Sequence, residues 1–479
     1  MVPGFERWTA SARPPAALER GPLAAAVLLG VLCGGAVALA GLNALYLCAG
    51  AIACAFILLD FRIGVVLLIL LMPISTSYVF PHEMFGIKGL NPLNLLLVGT
   101  LGSYLIGAMS GGSLRRFVPR PLLWLYVLPL VVAGLRGVRH FGEIAPVFFM
   151  YDVVDFQNPT GYLVNLVAKP LLLLTFALLV AAAVSKSAKP EKFLLPAWIS
   201  IWVMSLMVVV FVLQSGVGLQ QLASSRERAF LGALGMHADA FGPLYTVAYA
   251  LLLFTWAETR APAARLGLAA SMGLTAVALM LTFSRGAFVA FMLVNVLFLL
   301  WRRNASALVF VGLLAALGLF ALPAAVYERV QHGFGHGLNA ISAGRIDMLW
   351  LPLLPQVLRH PVLGSGLESI LWSEPMRRGA GVTILAATHP HNAYLEALLD
   401  MGIVGLALFG AYFAHVWKGL RALAVDASLS PRLRGFFLGA AAGLLALLVT
   451  SFVEGSLRPQ PEQVFLWLAI GMMYGQRRR

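Results

Sequence analysis

Apolar runs of roughly 17 to 25 residues, each closed by a short polar or basic segment, follow one another from end to end of this chain, and a run of that length spans the hydrocarbon of a bilayer. Fourteen can be read, at 22–40, 42–59, 63–78, 92–109, 121–135, 162–184, 193–213, 239–257, 264–282, 286–301, 305–325, 392–417, 433–453 and 461–475. Backbone polar groups in lipid must be satisfied within the segment, so such runs fold as helices. The expectation is an all-α polytopic membrane protein of 12–14 spans. With 60% of its 479 residues hydrophobic and only 11% charged, the chain holds more apolar sequence than one soluble core needs. A net charge of +14 would otherwise raise the question of nucleic acid, but the basic residues sit in clusters between the runs, so no nucleic-acid partner is expected.

An even number of spans puts both termini on one side. Taking that side as cytoplasmic gathers 21 of the 34 basic residues there, among them Arg62, Arg120, Lys186, Arg265 and Arg421, which fixes the predicted orientation. The opposite face, periplasmic in a bacterial inner membrane, receives the longer connections. The chain divides into spans 1–11 (1–325), a large periplasmic loop (326–391) and spans 12–14 (392–479). Inside that loop Arg345 to Trp350 and the leucines after it form an amphipathic surface segment, which Pro352 and Pro355 should keep short or broken, and Gly364-Ser365-Gly366 makes a turn. Residues 22–40 end Ala38-Leu39-Ala40 and imitate a signal peptide, yet the topology works only if they are kept. Cys33, Cys48 and Cys54 all lie in the first two runs, as small apolar residues and not as a disulfide or metal set.

Ionisable groups inside or at the mouth of apolar helices are functional candidates by default. Thr388-His389-Pro390-His391-Asn392 opens the twelfth span, with Pro390 suited to its first turn. His391 then sits at a helix N-terminus, where the dipole disfavours imidazolium and leaves a base, and where anions are attracted. His391, Leu398, Gly402 and Gly405 fall on one helical stripe, the glycines admitting a close-packed helix, while Glu396 and Asp400 face away toward other helices or a second polar pocket. The alternative is that His389 and His391 merely cap the helix. Arg285, in the turn Phe283-Ser284-Arg285-Gly286, and Arg226 and Arg228, after the seventh span, lie on the face where arginines should be few; they are phosphate ligands or headgroup anchors. Lys169, ahead of Pro170 and well inside the sixth span, either snorkels outward or is a buried charge facing a pyrophosphate or an acid. No Walker loop, HExxH, CxxC pair or carboxylate cluster is present, so ATP hydrolysis and metalloprotease chemistry have no support, and neither a metal nor a cofactor is expected.

In order along residues 220–410, the arginine loop before Gly235-Met236-His237-Ala238-Asp239, the Phe283-Ser284-Arg285-Gly286-Ala287 turn, Arg345 with Trp350, His360-Pro361-Val362-Leu363-Gly364-Ser365-Gly366, and His391-Asn392 with Gly402-Ile403-Val404-Gly405 resemble the O-antigen ligase and O-antigen polymerase superfamily of bacterial membrane glycosyltransferases. Asp239 departs from the pattern, where asparagine is common. The resemblance implies transfer of a glycan from undecaprenyl pyrophosphate to an acceptor hydroxyl, on another glycan or on lipid A–core, at the periplasmic face, without nucleotide sugar or metal. It implies His391 as the base and Arg228 and Arg285 as holders of the pyrophosphate. Arg345, Lys169, Arg226, His389 and Asn392 are further substrate-binding candidates, and membrane lipid, a chain-length regulator or a flippase are the implied partners. Fourteen spans lean toward a polymerase, since ligases of this group have about twelve. Protein O-glycosylation is a third family activity. A flippase for the same lipid-linked glycans is the rival from another class, but it should show paired repeats with broken helices, and none is visible.

Overall fold

The computed structural model of the chain describes residues 20–75, 77, 80–110, 117–151, 153–216, 231–232, 234–236, 238–302, 337–342, 344–378, 388–453 and 455–478. Among these, nine helices are long and apolar enough to cross a membrane: Gly41–Leu59, Pro92–Met109, Arg120–Glu143, Pro159–Lys186, Pro190–Ser215, Asp239–Glu258, Pro262–Met280, Ala393–Ala424 and Pro431–Thr450. The runs at 22–40 and 42–59 give two helices within Arg20–Leu59 that meet in a kink at Gly41. The runs at 63–78, 286–301 and 461–475 give the shorter helices Phe61–Leu71, Arg285–Arg302 and Val464–Gln476. The run at 305–325 lies outside the described residues.

Helices 239–258 and 431–450 form the centre, with Gly435 and Gly439 packed on the backbone of Phe254 and Ala250 so closely that a Cβ would fall about 2.5 Å from their carbonyl oxygens. Helix 464–476 lies against 159–186 in the same way, through Gly471 on the Ala177 carbonyl. Helix ends assigned to one face by the sequence lie together: the Lys186 ammonium sits over the rings of Phe61 and Tyr104, and Arg478 donates to the Phe117 carbonyl at 2.7 Å. On the same face Arg421 covers Trp301 and Arg265 covers Trp256, so the basic belt is pinned by aromatic rings.

Among the described residues three helices contain a π turn, at Leu123–Val127, Val164–Ala168 and Ile346–Trp350, and each is closed by an i to i−5 bond from the residue just before a proline: Leu128, Lys169 and Leu351 ahead of Pro129, Pro170 and Pro352. A proline ring collides with the carbonyl four residues back, and a widened turn moves that carbonyl aside. This corrects the expectation for Pro352 and Pro355: the helix runs on through both to Arg359. It also moves Lys169. Its helix is the 28-residue Pro159–Lys186, and at 1.5 Å per residue it spans about 42 Å against a hydrocarbon thickness of about 30 Å. Counted from the basic end, Lys169 lies about 26 Å along, near the far rim, and its side chain is exposed; it is not a buried charge.

The connection before residue 392 does not stay on the surface. Residues 364–372 enter the bundle, and Leu367, Ile370, Leu371 and Trp372 are buried. Tyr162 and Arg136, from two different helices, fix this insert by donating to the carbonyls of Leu367 and Gly364. Its backbone docks where helix 393–424 is broken at Gly402, which has φ 63° and ψ −168°. Ser365 and Gly366 N–H donate to the freed carbonyls of Leu399 and Asp400, and the freed N–H groups of Ile403 and Val404 donate to Pro361 and Val362. The break thus leaves none of these four helix-end groups unpaired. The stripe expected through His391, Gly402 and Gly405 is corrected accordingly: Gly402 is not helical, what it admits is this loop backbone, and Gly405 packs on Met401 of its own helix.

Candidate functional site

The residue types at 388–394 dictate a turn followed by a capped helix. Asn392 is the N-cap, its Oδ1 accepting from the N–H groups of Tyr394 and Leu395, so the helix begins at Ala393 and not at Pro390. Pro390 and His391 therefore precede the cap, and Asn392 spends its side chain oxygen on the backbone. His391 takes a left-handed conformation with φ 50°, and its ring lies 4.0 Å from that of His389, centroid to centroid. Such a conformation costs a non-glycine residue about 1–3 kcal/mol and persists only where the surroundings enforce it. Three contacts do so here. The Trp350 indole donates to the Pro390 carbonyl at 2.8 Å, Ala393 N–H donates to Ser451 O at 2.8 Å, and the Tyr394 hydroxyl donates to Leu448 O at 2.7 Å.

The turn 451–453 is the common neighbour of the predicted site residues. Ser451 holds Ala393, Arg345 donates to the Val453 carbonyl at 2.5 Å, and Val453 stands against Gly286, next to Arg285 at the start of helix 285–302. The structure thus brings the chain at His391, Arg345 and Arg285 around one turn. Of the four non-glycine residues with positive φ among the described residues, Phe283 and His391 belong to the segments that meet here. Lys169 is elsewhere, donating to Asn165 in a cavity that Thr388 also lines. Arg226 and Arg228 lie outside the described residues.

Sequence reasoning missed the most buried basic group among the described residues. Arg458 is 5% exposed and its Nη2 reaches Glu396 at 2.5 Å and Glu368 at 2.7 Å. Asp400 completes the cluster by accepting from Glu368 N–H, Ser369 N–H and the Ser369 hydroxyl. Burial opposes the guanidinium charge, but Glu396, Glu368 and Asp400 hold its pKa well above the ordinary arginine value. The partners of Glu396 and Asp400 are thus on loops and not on neighbouring helices. The network ties three pieces together: the inserted loop, the first half of the His391 helix, and the link before helix 464–476. Two acids inside an apolar helix were the available signal, because they require a counter-charge, and an arginine followed by Pro459 on the arginine-poor face was the one to nominate.

Chemically the arrangement offers an imidazole in an enforced turn, the Arg345 guanidinium on the neighbouring 451–453 turn with the start of the Arg285 helix beside it, and an ionic network at Arg458. Among the described residues no group of three or more metal-ligating side chains is found. No curated protein matches the chain. Residues 270–410, which include Arg285, Arg345 and His391, match the family model described as O-antigen ligase, and this match bears out the resemblance of the motifs to the O-antigen ligase and polymerase superfamily.

Proposed function

We propose that this multi-pass protein transfers a glycan from undecaprenyl pyrophosphate to an acceptor hydroxyl at the periplasmic face of a bacterial inner membrane, as a metal-independent polymerase or ligase of surface polysaccharide. The observation that carries the reading is the O-antigen ligase match over residues whose chain positions converge on one turn. His391 takes the proton of the acceptor hydroxyl. The acceptor oxygen bonds to the anomeric carbon as the bond from that carbon to the pyrophosphate oxygen breaks. The departing polyprenyl pyrophosphate keeps the electron pair, and its charge is met by Arg285 and, as the resemblance implies, Arg228. Arg345 is bonded to the Val453 carbonyl, which suits it to fixing the turn beside the leaving group. His391→Ala should lower transfer by about 10²–10⁴-fold at unchanged membrane level, the range of general-base catalysis. The assay is purified protein in lipid with an undecaprenyl-pyrophosphate-linked repeat unit, with and without lipid A–core. A ladder without added acceptor marks a polymerase, and product only on lipid A–core marks a ligase. Undiminished turnover by the variant would sink the base assignment.

A further inference from the structure

A cavity of about 450 Å³ opens on the side of the His389–His391 turn marked by Thr388, a size within the range of roughly 300–1,000 Å³ typical of small-ligand sites. Its polar lining includes Asn94, Asn165, Lys169, Glu368, Thr388 and Arg458. The charges of this lining decide what fits. The two cations of the lining, Lys169 and Arg458, are matched by the carboxyls of Asp155 and Glu368, and Glu396 and Asp400 stand behind Arg458, so no positive charge is in excess. Lys169 donates to Asn165. A pyrophosphate needs surplus positive charge, and this lining has none to give. A sugar needs amides, hydroxyls and carboxyls that donate and accept at short range beside apolar surface for its C–H faces, and Leu371 and Val153 supply the latter.

The chain path supplies the second argument. Thr388 lies in the cavity, and five residues later Ala393 is bonded to the 451–453 turn on which Arg345 and the start of the Arg285 helix converge. His391 lies between the two along the chain. We infer that the cavity holds the sugar of the acceptor, presenting its hydroxyl toward His391, with the donor pyrophosphate on the arginine side; this rests on the transfer reading above.

The test is binding, which does not depend on turnover. The probes are the repeat-unit oligosaccharide freed by mild acid from the lipid carrier of cells lacking this protein, the acceptor of a polymerase, and the core oligosaccharide freed by mild acid from lipid A–core, the acceptor of a ligase, each titrated calorimetrically into the full chain in lipid nanodiscs. His391→Ala should bind as the wild type does while losing transfer, which separates a failure of the cavity from a failure of the base assignment. Lys169→Met with Asn165→Ala should weaken binding roughly tenfold, the loss of one or two hydrogen bonds, and raise KM for the acceptor alike with kcat changed less than about twofold. Ser75→Trp fills the cavity from a different segment and repeats the test if the double variant does not fold. Binding of neither probe to the wild type, equal binding by these variants, or displacement of the bound oligosaccharide by inorganic pyrophosphate overturns the assignment.

Discussion

Gly41 and Gly402 break their helices with nearly the same φ, 62° and 63°, in a region of backbone space that is essentially glycine's own, yet the two breaks have opposite settings. Around Gly41 there is open space within 4 Å, and Leu39 and Leu42 beside it are 92% and 66% exposed. At Gly402 a Cβ would stand 2.4 Å from the Val362 carbonyl, and four backbone hydrogen bonds cross the gap to residues 361–366. The first break punctuates two successive apolar runs. The second is a joint through which a loop enters the bundle and sets the start of the His391 helix.

The difference can be pressed by mutation. Gly402→Ala should do most harm: on the order of 3–5 kcal/mol, from about 1–3 kcal/mol of backbone strain plus displaced hydrogen bonds of about 1 kcal/mol each, with loss of transfer. Thermal melting in detergent measures it, and an unaltered Tm would refute the joint. Arg458→Met comes next, stranding Glu396 in the interior at about 3–5 kcal/mol, the cost of breaking a buried pair. Adding Glu396→Gln should recover part of that loss, and a double-mutant cycle with no coupling would show the pair to be incidental. Trp350→Phe removes one hydrogen bond to Pro390, about 1 kcal/mol, but should lower transfer more than it lowers Tm, because the strained His391 turn loses a support. Gly41→Ala should leave transfer as it is, its effect confined to about 1–3 kcal/mol of backbone strain. If it disabled transfer, the two breaks would not differ as described.

The nine long apolar helices among the described residues were legible because a bilayer allows one solution for a long apolar run, and the helix at 239–258, predicted at 239–257, shows how closely length and composition fix it. The His389–His391 turn and Arg285 were legible as ionisable groups beside apolar helices. What stayed hidden depends on contacts between distant segments. Gly402 reads as an ordinary small residue in a helix until the loop at 361–366 is known to abut it. Arg458 reads as a short-link arginine until Glu396 and Glu368, 62 and 90 residues away, are seen to surround it. Lys169 was misplaced for a local reason, since the helix before it extends to Pro159 through a polar first turn that no apolar run signals.

The stretch from 270 to 410 that carries the family likeness is not a module. Its hydrogen-bond partners lie before it, at Ala133, Arg136 and Tyr162, and after it, at Leu448, Ser451, Val453 and Arg458. During synthesis the His391 turn therefore waits for residues made some sixty positions later. Grafting 270–410 between relatives would transplant Arg285, Arg345 and His391 without the segments that hold them, so chimeras joined at residue 410, inside helix 393–424, should be inactive even when every matched residue is native.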